Sequence, residues 1–363
     1  MTTSRPSGDA DAAPPASSDL TYAAAGVDIE AGDRAVELMR AAVGRTRRPE
    51  VVGGLGGFAG LFALDTTKYR RPLLASSTDG VGTKLAVARA LGVHDTVGID
   101  LVAMVVDDLV VCGAEPLFLQ DYIACGKVLP ERIAAIVAGI AEGCVQAGCA
   151  LVGGETAEHG DQMGADEYDL SATGVGVVEA DAVLGPERVR AGDVLVALGS
   201  SGLHSNGYSL VRHVLRAAGL PLEAEVPELG RTLGAELLTP TRIYARDCLR
   251  LAAATRVRAF AHITGGGIPG NLVRVLPAHL DATVDRATWT PQPVFDLVAR
   301  TGRVAAAEMD RTFNLGVGMV AVVDAADADR AVGVLREREV PAWVLGEVTV
   351  GTGSVTLAGA HPR

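Results

Sequence analysis

The tightest limit on this chain is set by a helix that is apolar on every side yet carries two adjacent acids. Residues 100–112 (DLVAMVVDDLVVC) run without a breaker to Gly113, a residue suited to closing a helix. On a helical wheel Asp108 shares its face with Leu101, Met104, Val111 and Cys112. Asp107 shares its own with Ala103, Met104, Val110 and Val111. No face is left for water, so the helix must lie between other layers. A buried carboxylate without a partner is costly, so the acids need an Arg, a cap to a neighbouring loop, or a metal ion. Side chains of adjacent helical residues diverge by about 100°, so one acid of the pair suffices as a metal ligand.

The rest of the chain supplies those layers. Periodicity predicts helices over 33–43, 85–91, 130–148, 209–218, 241–254 and 327–337, and another after Pro269. Strands are predicted at 62–64, 72–76, 117–123, 150–152, 171–178, 194–198, 259–263, 316–323 and 344–350. The turn-rich stretches 184–186 and 191–193 suggest a boundary. They give an N-terminal extension over 1–20, a first domain over 21–188 and a second over 189–363, a comfortable division for 363 residues. Few aromatics and many Gly, Ala and Val residues favour an α/β (α+β) fold.

A formal charge of −12 argues against nucleic-acid or anionic-membrane partners, though not against phosphate bound by a few backbone amides. The five cysteines form no C-x-x-C pair and are expected to be reduced. The first twenty residues lack the basic start and apolar run of a signal peptide, and no apolar stretch is long enough to span a membrane. A cytoplasmic enzyme is the expectation.

Five polar segments punctuate this frame. In residues 78–84 (TDGVGTK), glycines permit close backbone approach to a ligand, Lys84 offers a point charge and Asp79 a hard oxygen for magnesium. A plain Asp-Gly turn explains the same spacing equally well. Residues 153–158 (GGETAE) follow an apolar strand, which places Glu155 at a strand's carboxyl end, where α/β sheets bind ligands; a Gly-Gly turn with a capping Thr is the alternative. Residues 199–207 (GSSGLHSNG) are dense in hydrogen-bonding groups. Residues 262–267 (HITGGG) lead toward a helix and present N–H groups to an anion. Residues 313–319 (FNLGVGM) read as a turn into a core strand, with Asn314 pointing outward.

Taken in order, these segments resemble the phosphoribosylformylglycinamidine cyclo-ligase family. The further matching pieces are 22–29 (YAAAGVDI), 54–58 (GLGGF), 108–119 (DLVVCGAEPLFL), 199–210 (GSSGLHSNGYSL), 238–241 (LTPT), 262–269 (HITGGGIP) and 311–319 (RTFNLGVGM). The resemblance covers about residues 22–350. It implies a two-domain fold of the ATP-binding synthetase superfamily, with an N-terminal sheet domain that dimerises and a C-terminal α/β domain. It implies ATP-dependent ring closure of formylglycinamidine ribonucleotide to aminoimidazole ribonucleotide through phosphoryl activation of the formyl-amide oxygen.

The resemblance also distributes roles. Gly54, Gly56, Gly57, Asp79, Gly80, Gly82, Thr83 and Lys84 would bind ATP. Asp79, Asp108 and Glu155 would bind magnesium, with a potassium requirement left open. Lys84, Asp108 and His204 would be catalytic, and His204, Ser205, Asn206, Thr264, Gly265, Gly266 and Gly267 would hold the substrate. Departures from the family pattern include Asp107 where Asn is usual, altered residues at 159–163 and 171–173, and Gly270 where Glu is common. A selenophosphate synthetase needs an early Cys that this chain lacks, and a thiamine-phosphate kinase lacks the 199–210 and 311–319 motifs. A silent scaffold would have lost the acids and Lys84.

Overall fold

The computed structural model describes residues 28–54 and 56–362. The expected extension over 1–20 and the start of folding near Tyr22 lie outside the described residues.

Helix α1 (Ile29–Gly44) begins where the Asp28 side chain accepts a hydrogen bond from the Ala31 N–H at 3.0 Å, satisfying one of the free donors of a helix start. A short ribbon of β1 (Val51–Val52) and β2 (Leu61–Phe62) brackets the early glycine-rich segment. Then follow β3 (Pro72–Gly80), α2 (Leu85–Leu91), α3 (Val97–Val110), β4 (Glu115–Cys125), α4 (Pro130–Ala147), β5 (Ala150–Glu158) and β6 (Tyr168–Glu179). The strands form one sheet in the order β3-β6-β4-β5, antiparallel except for the parallel β4–β5 pair. Helices α3 and α4 cover one face. Along β4, Leu119, Asp121, Ile123 and Cys125 turn inward while Gln120 and Tyr122 face out, as period-two alternation requires.

All four strands of this sheet run further than the sequence predicts, and in β3 and β5 the extension moves candidate residues. β3 continues through Asp79 and Gly80, because both pair with β6 opposite Ala172 and Ser171. β5 carries the whole 153–158 motif, so Glu155 stands mid-strand opposite Tyr122 and not at a strand's carboxyl end.

The second domain opens with β7 (Val194–Gly199) and α5 (Tyr208–Ala218). A ribbon of β8 (Glu225–Val226) and β9 (Arg231–Thr232) leads to α6 (Leu233–Leu237), α7 (Ala245–Ala254), β10 (Val257–His262) and α8 (Gly267–Leu272). β11 (Leu280–Asp285), α9 (Pro293–Gly302), α10 (Ala306–Thr312), β12 (Val317–Val323), α11 (Ala328–Arg336), β13 (Ala342–Val350) and β14 (Val355–Ala358) complete it. Its sheet has the order β10-β12-β7-β13-β11-β14. β11, α9 and α10 fall in a stretch that periodicity left unassigned.

Helix α3 is the joint of the molecule. One apolar cluster runs from Leu101 and Val105 on α3 into Tyr244, Cys248 and Phe260 of the second domain. Against α4 the helices touch backbone to backbone: a Cβ at Gly98 would collide with the Ile140 nitrogen, and one at Gly139 with the Asp95 oxygen. Gly98→Val should therefore cost at least about 3 kcal/mol in urea unfolding, since overpacking has no room to relax. Gly333→Ala, at an open helical position in α11, should instead gain roughly 0.5–1 kcal/mol.

Candidate active site

Asp79 reaches its place at the end of β3, and its carboxylate accepts the Gly80 N–H at 2.7 Å. Burial, then the nearby negative charge of Asp108, raises its pKa, with the Gly80 bond opposing. Asp108 lies on α3 with its side chain 41% exposed. Asp107, one residue earlier, points into the core and is fully buried. The roughly 100° step between helical neighbours thus splits the pair into one cleft-facing acid and one core acid.

Asp108 bridges the domains. Its Oδ1 lies 2.9 Å from Nδ1 of His262, at the end of β10. Burial pulls the His262 pKa down, but the Asp108 hydrogen bond and the charges of Asp107, Asp108 and Asp79 outweigh it and raise it. His262 is therefore biased toward the imidazolium form, the state that best complements Asp108. Its Nε2 is buried and has no partner among the described residues. His262 belongs to the HITGGG motif, but the expected substrate set began two residues later.

The polar loops converge on the same cleft. Thr83 Oγ1 and Ser209 Oγ are 3.1 Å apart, joining residues 78–84 to the first turn of α5. Half-buried Asn206 sits beside Gly265, which follows His262 by three residues. Two buried asparagines shape these loops. Asn314 donates to the Gly202 carbonyl at 2.9 Å and accepts from Ser200 Oγ at 3.1 Å and the Gly316 N–H at 2.8 Å. It is buried and does not point outward. Asn271 donates to the Gly267 carbonyl at 2.8 Å and lies within 3.3 Å of the Thr264 and Gly265 carbonyls. Gly266 and Gly267 both take positive φ, 100° and 62°, a region glycine enters at little cost. Helix α8 starts at Gly267, earlier than expected, and the Gly267 N–H is already used by Thr264 O.

Lys84 and His204 differ from their expected roles. Lys84 is fully buried, and its Nζ donates to Asp100 Oδ1 at 2.8 Å, His204 O at 3.1 Å and Thr239 O at 2.7 Å. All three ammonium donors are used inside the protein, so none is free for a phosphate. Asp100 Oδ1 also accepts from the Thr241 N–H at 2.8 Å and Thr241 Oγ1 at 2.6 Å. His204 is buried at a left-handed φ of 61°, its Nε2 accepting the Ser201 N–H at 3.2 Å. Burial drives its pKa well down, so it is a neutral packing residue. Ser205 is spent on Thr241, oxygen to oxygen at 3.1 Å.

The expected metal trio is divided. Glu155 lies on β5, three strand spacings or about 14 Å from β3. By strand register it also faces away from the side that Asp79 takes. Among the described residues no three His, Cys, Asp or Glu side chains are placed to share an ion. Asp79 and Asp108 remain a like-charged pair of hard oxygen donors, which suits magnesium, an ion often held by one or two carboxylates plus substrate phosphates. Glu155 instead lines a cavity of about 330 Å³ with Gly54, Gly56, Gly57, Asp121 and α1 residues including Val36.

Comparison with known proteins follows the same two-part division. Residues 63–178 match the N-terminal domain model of "AIR synthase related protein" and residues 190–358 its C-terminal domain model. A protein of Anaeromyxobacter sp. (strain Fw109-5) named phosphoribosylformylglycinamidine cyclo-ligase is 54% identical, over 93% of this chain and 98% of that protein. One of the same name from Myxococcus xanthus is 53% identical over 93% and 98%. Among solved structures, the hydrogenase maturation protein HypE in complex with ATP superposes with a TM-score of 0.60 at 21% identity, over 90% of both chains, a likeness of fold.

Asp107 yields a test of the buried electrostatics. Burial pushes its carboxyl up to about 7, against the opposing charge of His262 and the Tyr244 N–H donated at 2.8 Å. Unfolded aspartate titrates near 3.9, so between about pH 4 and 7 the folded state holds more protons and stability falls as pH rises. Asp107→Asn removes that loss. The variant should match the wild type near pH 4 and exceed it at pH 8 by ~2–4 kcal/mol in denaturant titrations.

Proposed function

The chain belongs to the phosphoribosylformylglycinamidine cyclo-ligase family, and we propose that the cleft around Asp79, Asp108 and His262 is where its reaction runs. The reaction is the ATP-dependent conversion of formylglycinamidine ribonucleotide to aminoimidazole ribonucleotide, ADP and phosphate, in purine biosynthesis. The observation that carries the site assignment is the 2.9 Å contact between Asp108 of one domain and His262 of the other, beside Asp79.

The formyl-amide oxygen is a poor leaving group. In the proposed sequence it attacks the γ-phosphorus of ATP, the bond to the β-phosphate oxygen breaks, and ADP departs. An amidine nitrogen of the same substrate then attacks the activated carbon. The carbon–oxygen bond breaks, phosphate leaves, and the nitrogen loses a proton to solvent. Most of this is positioning and charge placement. Asp79 and Asp108 hold magnesium, which neutralises polyphosphate charge when bound. His262 fixes the Asp108 carboxylate through its Nδ1. Asn206, Thr264 and the exposed Gly265 backbone hold the substrate's amide and ribose phosphate, while the cavity of Gly54, Gly56 and Gly57 takes the nucleoside of ATP.

The separation of that cavity from Asp79 supports a homodimer. The outer sheet face, with Leu74 67% and Tyr122 41% exposed, is the surface proposed to pair, placing ATP sites near the interface. The two domains are taken as 21–188 and 189–363. No helix among the described residues is long and apolar enough to cross a membrane, and a cytoplasmic location accords with the pathway.

Purified protein with formylglycinamidine ribonucleotide, ATP and magnesium should yield ADP and a diazotisable aminoimidazole one for one. ADP alone would contradict ring closure, and repeating the assay with potassium tests for a monovalent requirement. Asp108→Asn should lower kcat by on the order of 10²-fold, as loss of a charge-placing group does, while stability stays within about 1 kcal/mol.

A further inference from the structure

The carboxyl of Asp121 has no use in the reaction described so far. It lies on β4, only 9% exposed, on the inner side of the sheet. Apart from its own backbone N–H, no donor among the described residues meets it. It borders the cavity of about 330 Å³ that Gly54, Gly56, Gly57 and Glu155 also line. Gly154 on β5 makes room for it: a Cβ there would overlap the Asp121 carboxylate. Buried carboxylate oxygens almost always find donors, and here the open side is the cavity.

We infer that Asp121 accepts hydrogen bonds from the ribose 2′- and 3′-hydroxyls of the nucleotide bound in that cavity. The inference rests on the assignment of the cavity to the ATP nucleoside. Charge rules out the phosphates as its partner. The adenine edge offers an amino donor beside a ring acceptor, which would set one carboxylate oxygen against a lone pair. A cis-diol instead presents two O–H donors to two oxygens, the way acidic residues hold ribose in other α/β sheets. The apolar wall of Ala35, Val36, Met39 and Leu151 adjoins it and suits the flat base. Burial pushes the Asp121 carboxyl up to about 7, and hydroxyl donors that favour the charged form offset that cost.

The test compares kcat/KM for ATP, 2′-deoxy-ATP and 3′-deoxy-ATP in the full-length enzyme. The wild type should prefer ATP over each deoxynucleotide by on the order of tenfold, the size of one charge-assisted hydrogen bond. Asp121→Ala should bring both ratios within about twofold, and Asp121→Asn, keeping one acceptor oxygen, should retain an intermediate preference. Unchanged ratios in Asp121→Ala would overturn the inference. Val36→Trp, on the exposed rim of the cavity, separates the two levels. If it leaves KM for ATP unchanged, the cavity is not the nucleotide site. If it raises KM while Asp121→Ala leaves the deoxy ratios untouched, only the ribose contact fails.

Discussion

The ion pair between Lys84 and Asp100 is the contact on which the geometry of the cleft depends. Both side chains are shut off from water, where an unpaired charge would be costly. The pair is tolerable because every ammonium proton and one carboxylate oxygen are engaged: Lys84 ties α3 to the carbonyls of His204 and Thr239, and Asp100 Oδ1 ties it to Thr241. Only the second Asp100 oxygen is left without a partner among the described residues. One buried knot thus joins residues 78–84, helix α3 and two loops of the second domain. Asp79 lies five residues before the knot and Asp108 two helical turns beyond it.

Rigidity then spreads through neutral polar groups. Asn314 and Asn271 each satisfy backbone groups of a glycine-rich loop that no regular structure supports. Gly318 lets β12 pass close to the rings of His204 and Tyr244, where a Cβ would overlap both. The cleft is in this sense preorganised: Asp108 and His262 are held from opposite domains by packing that leaves little freedom to the loops between them.

Much of the frame was legible because it follows from periodicity. The all-apolar helix around Asp107 and Asp108 is buried at the domain joint, and α2 begins and ends at the residues the pattern indicates. Sequence logic failed where a residue's partner lies far along the chain. Lys84 in a glycine-flanked turn looks like a phosphate ligand, and only its distance to Asp100, Thr239 and His204 shows it to be a structural pin. His204, in a Ser- and Gly-rich loop, was expected to hold substrate, and Asn314, in a glycine-bearing turn, was expected to point outward, yet tertiary packing buries both. The family resemblance grouped Glu155 with Asp79 as metal ligands, but sheet order sets β3 and β5 on opposite edges. His262 stood in plain sight within its motif, and its pairing with Asp108, 154 residues away, has no local signal.

The central claim is that acids of the first domain and an imidazole of the second act as one catalytic unit. The most direct measurement is a double-mutant cycle on kcat/KM for aminoimidazole formation, using Asp108→Asn, His262→Ala and the pair together. Residues that act as a unit are strongly non-additive, so the double variant should be little worse than the poorer single one. Losses that multiply, as they would for independent sites, would contradict the claim.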